Sequence, residues 1–137
     1  MSQLIRFGVS LDRELLKKFD AYVRKNRYKT RSKAISDLIG SVFVGQEWEK
    51  NKETAGAIVL VYDHHKRELV NKVIDIQHDF QKIIISSQHV HLDYSNCMEV
   101  IIVRGRTSLI QNLASLLKST KGVKYSSILA ATTGKNL

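Results

Sequence analysis

The chain contains no proline and only one cysteine. With a single cysteine no internal disulfide can form, so the disulfide-stapled secreted scaffolds are excluded and a reducing compartment is expected. No proline-rich or other low-complexity tract interrupts the sequence. No run approaches the roughly 18 apolar residues of a membrane span. The opening MSQLIRF lacks the apolar stretch of a secretion signal. A soluble, cytoplasmic protein without a membrane partner is therefore expected. Two motifs are missing as well. There is no H-E-x-x-H and no C-x₂₋₄-C pair, which removes the commonest helical zinc-hydrolase and closed structural-zinc signatures.

What is present is a globular composition, 43% hydrophobic and 26% charged, over 137 residues. That length suits one compact domain or two very small ones. The net charge is +9, and it is unevenly placed. Residues 1–33 hold ten Lys and Arg against Asp12, Glu14 and Asp20, a surplus of seven. A basic end joined to a nearly neutral body points to a polyanion partner at that end. A plain solvated basic helix accounts for the charge equally well, so other features must decide.

The periodicity decides the first part. In LIRFGVS, residues 4–10, Ile5, Phe7 and Val9 alternate with Arg6, Gly8 and Ser10, which predicts a strand. Leu15, Phe19 and Tyr22 or Val23 then repeat at helical spacing, with Asp12 placed to cap the start. A second helical stripe follows through Ala34, Ile35, Leu38, Ile39, Val42 and Phe43, with Thr30 as its expected N-cap. One strand and two short helices cannot satisfy their own strand edge or close a core. The simplest solution pairs the strand with that of a second copy, which is a ribbon-helix-helix DNA-binding domain over residues 1–46. The two-stranded ribbon would enter the major groove of double-stranded DNA and present Arg6 and Ser10 to the bases. The basic turn KTRS at the start of the second helix, with Arg31 and Ser32, would hold a phosphate.

Residues 47–56, EWEKNKETAG, are polar and end in glycine, which predicts a linker. Residues 57–137 then follow another rhythm. AIVLVY (57–62), KIIISSQHVHL (82–92), CMEVIIVRG (97–105) and GVKYSSILAA (122–131) read as strands. KRELVNKVIDIQH (66–78) and SLIQNLASLLKS (108–119) read as helices. The order βαββαβ is the ferredoxin-like split βαβ arrangement, so the whole chain is of the α+β class. Order alone assigns no function.

The chemistry gathers in SSQHVHLDYSNCMEV, residues 86–100. His89 and His91 are two apart on a predicted strand and leave it on one face. The turn DYSN then brings Cys97 back as the antiparallel neighbour. Two imidazoles and a thiol can meet there, although strand alternation alone also produces such histidine pairs. Imidazole with thiolate suits zinc, copper and nickel, and three nitrogens with one sulfur in a plane favour Ni(II) or Cu(II). The fourth ligand must come from elsewhere. His78, at the end of the preceding predicted helix, is a candidate, and a neighbouring subunit is the natural source of it. His64 and His65 are adjacent and diverge, so they read first as a solvated helix start.

Together, RFGVSLD, YKTRSKAISDLI, VYDHHKREL, QH, HVHLDYSNCMEV and KGV resemble the nickel-responsive transcriptional repressors of the NikR family, over essentially the whole chain. The resemblance implies a homotetramer, a dimer of dimers, with two ribbon-helix-helix pairs flanking four ACT-like regulatory domains. It implies one Ni(2+) per subunit in a square-planar site, with His89, His91 and Cys97 from one subunit and His78 from the facing one. Tyr62, His64, Gln77 and Glu99 match positions around that site, and Lys66 and Arg67 match positions that reach DNA phosphates. The implied activity is nickel-dependent repression at a palindromic operator of nickel uptake genes, with no enzymatic reaction and no small-molecule substrate. Two positions depart from the family pattern. Gly8 stands where a hydroxyl side chain usually faces the groove. Lys33 stands where a glutamate usually helps form a second cation site, while Asp37 remains. A competing reading keeps the ribbon-helix-helix repressor but places a small molecule at the ACT-like domain. A metal hydrolase would need an open coordination position, which four protein ligands do not leave.

Overall fold

The computed structural model describes residues 3–137. Its contacts divide the chain into one unit reaching to Gly40 and a second spanning Ser41–Leu137.

In the first unit, helix α1 spans Arg13–Lys25. Asp12 caps it, one carboxylate oxygen accepting from the N–H of Glu14 at 2.8 Å and of Leu15 at 3.4 Å. Glu14 in the first turn and Arg24 and Lys25 in the last complement the helix dipole. Helix α2 spans Arg31–Glu49, so it begins in the first unit and ends in the second. The Thr30 hydroxyl accepts from the Lys33 N–H at 3.1 Å, as expected of an N-cap.

The strand expected over residues 4–10 is not formed. Residues 3–12 carry no regular secondary structure, and Ile5 and Phe7 are 80% and 70% exposed. The reason is elementary. A strand exists only through hydrogen bonds to a neighbour, and a single chain offers this segment none. The apolar stripe of α1 is in the same condition, with no residue of that helix buried.

The second unit is the βαββαβ arrangement. Strand β1 spans Glu53–Asp63, helix α3 Arg67–Asp79, strand β2 Ile84–His91, strand β3 Asn96–Arg106, helix α4 Thr107–Ser119 and strand β4 Val123–Ala130. All pairings are antiparallel, in the order β2-β3-β1-β4. Alternation decides which face is covered. On β1, Ile58, Leu60 and Tyr62 are buried with Cys97, Ile101 and Val103 of β3, beneath Leu69 and Val73 of α3 and Ile110, Leu113 and Leu117 of α4. Each fully buried Ile or Leu contributes roughly 1.5–3 kcal/mol by leaving water. The opposite face carries Val90, Ile102, Tyr125 and Leu129, all exposed. No helix of the described residues is long and apolar enough to cross a membrane.

The segment expected to be a linker is structured at both ends. Residues 47–49 complete α2 and 53–56 open β1, leaving only 50–52 as connection. The cause is distant in sequence. The buried Glu47 carboxylate accepts from the Thr132 hydroxyl at 3.0 Å and from Asn136 Nδ2 at 3.2 Å. The Trp48 indole N–H donates to the Ala131 carbonyl at 2.8 Å. Gly56 must lack a side chain, because a Cβ there would stand 2.9 Å from the Leu129 carbonyl and 3.4 Å from the Trp48 ring.

Candidate metal centre

The hairpin between β2 and β3 sets the positions of the candidate ligands. Asp93 organises its turn: Oδ1 accepts from the N–H of Ser95 at 3.0 Å and of Asn96 at 2.8 Å. The Leu92 N–H closes the hairpin onto the Asn96 carbonyl at 2.8 Å. The resulting register puts His91 opposite Cys97 and His89 opposite Glu99. Because side chains alternate along a strand, all four leave the sheet on the side of α3 and α4.

Their surroundings differ. Cys97 is fully buried, and its thiol donates to the Tyr62 carbonyl at 3.3 Å. Burial pushes its pKa up, so within one chain it is held as a neutral thiol. His89 and His91 are exposed, on the strand that forms the edge of the sheet. Behind them runs a polar chain. The nearly buried Glu99 accepts from the Tyr62 hydroxyl at 3.0 Å and from Gln77 Nε2 at 3.1 Å. The Tyr62 oxygen lies 3.5 Å from His89 Nδ1. Burial, followed by the Glu99 charge, drives the Tyr62 pKa well above its ordinary value, so the phenol stays a donor.

His64 is a member of this group rather than a solvated helix start. Its ring stacks on that of His91, with centroids 4.2 Å apart and planes 3° from parallel. Burial, then the neighbouring His91, lowers its pKa. Its Nδ1 is buried without a partner among the described residues.

His78 is not brought to the others. It is exposed in the last turn of α3. Gln77, one residue earlier, points inward to Glu99, and one helical step of about 100° turns His78 away from it. Among the described residues no group of three His, Cys, Asp or Glu side chains is gathered to hold a metal. One chain thus presents part of a donor set on one face and a lone imidazole on another.

The residues expected at DNA fall in both units. Arg6 and Ser10 lie in the segment without regular structure. Arg31 is gripped by Asp20, Nε to Oδ1 and Nη2 to Oδ2 both at 2.9 Å, which leaves the Nη1 donors to reach a phosphate. Ser32 lies exposed in the first turn of α2, and Lys66 and Arg67 lie exposed where α3 begins. Lys33 is ion-paired with Asp37, which also accepts from the Tyr28 hydroxyl at 3.0 Å. Both oxygens of the Asp37 carboxylate are thereby engaged. Sequence reasoning passed over Asp93, although D-x-x-N after an alternating strand is the signal of a side-chain-stabilised turn.

The profile of the NikR C-terminal nickel-binding domain matches residues 55–130, the stretch that carries this hairpin. The chain belongs to the NikR family. The likeness extends beyond that domain. Relatives named as candidate nickel-responsive regulators occur in Syntrophus aciditrophicus (48% identical, 98% of each chain) and in Nitratidesulfovibrio vulgaris (52%, all of this chain and 99% of the other). Another, in Chlorobaculum parvum, is 54% identical over 91% of this chain and 93% of its own. They are named as regulators, not as enzymes. An uncharacterized protein of Thermotoga maritima shares the fold, with a TM-score of 0.52 at 13% identity over 57% of this chain and 96% of its own. The donors of this NikR chain fit the metal that gives the domain its name. Imidazole and thiol are the side chains that suit nickel, and a desolvated imidazole nitrogen at His64 waits beside them without a partner.

Proposed function

We propose that the chain is a cytoplasmic, nickel-dependent transcriptional repressor that binds a palindromic operator, as a homotetramer, when one Ni(2+) per subunit is in place. The genes under control are those of nickel uptake. The carrying observation is the split donor set: His91 opposite Cys97 with His89 two residues away, and His78 turned outward from the same chain. Such a set is completed only between copies, with His89, His91 and Cys97 of one subunit and His78 of a facing one forming a planar group.

Each residue has a physical task in this reading. Nickel would supply a divalent charge that lets the buried Cys97 thiol lose its proton and that ties side chains of different subunits together. Glu99, held by Gln77, fixes the Tyr62 hydroxyl, and Tyr62 and the stacked His64 orient His89 and His91. Because the ligands belong to different subunits, occupancy favours one arrangement of the tetramer by its differential affinity. Residues 1–46 pair with those of a second copy as the ribbon-helix-helix module, and residues 57–137 form the metal-binding, tetramerising ACT-like module. Arg6 and Ser10 contact base edges, while Arg31, Ser32, Lys66 and Arg67 contact phosphates.

Titration of nickel-free protein with Ni(II), followed by absorption, tests the proposal. A thiolate-to-nickel charge-transfer band saturating at one equivalent per chain is expected. His78→Ala is expected to remove the tight phase while leaving the circular-dichroism spectrum intact. An unaltered titration with that variant would exclude the inter-subunit ligand.

A further inference from the structure

A second concave site lies away from the nickel ligands and from the residues assigned to DNA. A cleft of about 510 Å³ opens where the α2–β1 connection, the β3–α4 corner and the C-terminal residues meet. That volume is within the usual range for small-ligand sites. Lys52, Arg106 and Lys135 line it, together with Asn51, Thr133 and Asn136.

The charge there is unbalanced. Among the described residues none of the three cations makes an ion pair. The one carboxylate in the wall, Glu53, is engaged chiefly by Arg104, Nε to Oε1 at 2.8 Å, and more weakly by the Lys135 charge. The walls are also fixed from behind. The Lys52 carbonyl accepts from both the N–H and the hydroxyl of Thr107, each at 3.1 Å. The Asn51 side chain accepts from the Ser108 N–H at 2.8 Å. The C-terminal wall is tied down by Asn136 and Thr132 on Glu47 and by the Ala131 N–H on the Ala55 carbonyl at 2.9 Å. Three cations against one shared carboxylate leave the concavity net positive, which attracts an anion, and guanidinium and ammonium groups match phosphate oxygens best.

We infer that this cleft binds a phosphate group, held by Lys52, Arg106 and Lys135. One wall of the cleft is the same C-terminal segment that holds Glu47 and Trp48, so occupancy bears on how firmly the last turn of α2 is fastened. The phosphate comes either from a phosphorylated small molecule or from the backbone of bound DNA, and the experiment separates the two.

Calorimetric titration of the full-length, nickel-free protein with sodium pyrophosphate, at ionic strength fixed by sodium chloride, reads the site without metal chelation and without operator DNA. Saturable binding at one equivalent per chain is expected for a free ligand. The R106A/K135A variant is expected to bind at least about tenfold more weakly while its thermal melt is unchanged, and R106K/K135R to keep most of the affinity. In parallel, the salt dependence of binding to a random-sequence duplex is measured for the same variants. A slope shallower by about 1 per removed cation assigns the phosphate to DNA. Absence of saturable pyrophosphate binding together with an unchanged slope overturns the inference, as does pyrophosphate binding that R106A/K135A leaves intact.

Discussion

Cys97 illustrates how one residue serves two demands. As a buried small side chain it fills the sheet–helix interface, and its thiol donates to the Tyr62 carbonyl. As a proposed ligand it must give up its proton where burial opposes ionisation. Cys97→Ser is therefore expected to keep the fold within about 1–2 kcal/mol, since a hydroxyl can still donate to that carbonyl, and to abolish the thiolate–nickel absorption band. Urea denaturation and the nickel titration check the two halves separately. Glu99→Ala is expected to cost about 1–3 kcal/mol by stranding the Tyr62 hydroxyl and Gln77 amide, and to weaken nickel binding as His89 loses its fixed neighbour. Much of this site is visible in the sequence. Histidines two apart share a face by the period of a strand, and four turn residues bring Cys97 opposite His91. The stacking of His64 on His91 is not visible, because it depends on where the end of β1 meets the β2–β3 hairpin, and local spacing carries no such information.

At the level of elements, caps and ion pairs set the terms. Asp12→Ala is expected to destabilise α1 by about 1 kcal/mol, read as a lowered urea midpoint, because two N–H groups lose their acceptor. The Asp20–Arg31 pair joins α1 to α2, and the hydrogen bond from Arg31 chiefly holds the Asp20 carboxyl below its ordinary value of 3.8. Its stabilisation is complete above that value. It declines as pH falls through the lower native pKa, since the unfolded chain takes up the proton first. Asp20→Asn is expected to remove this part of the acid-side slope, measured by denaturation between about pH 5 and pH 2. The expected linker over 47–56 shows where element reading fails. Its polar composition is real, yet Glu47 and Trp48 are fixed by Ala131, Thr132 and Asn136, more than 80 residues downstream. The strand at 4–10 fails for the complementary reason. Its alternation is present, but among the described residues no strand pairs with it.

For the whole molecule, one side of the sheet leaves apolar surface uncovered. Val90, Ile102, Tyr125 and Leu129 stand exposed on a face whose opposite side carries the core. A tetramer that hides this face gains what a lone chain forgoes. Leu129→Asp is accordingly expected to lower the mass seen by sedimentation without shifting the monomer's far-ultraviolet spectrum. Arg6→Ala is expected to weaken operator binding by about 1–3 kcal/mol relative to random DNA while the nickel affinity stays unchanged, which competition gel shifts can measure. A last consequence comes from α2, whose 19 residues cross the boundary between the two units without a break. A protease seeking an open loop at that boundary finds only hydrogen-bonded backbone. Any attempt to dissect the chain there has to sever a helix, leaving two cut ends whose backbone groups must find new partners.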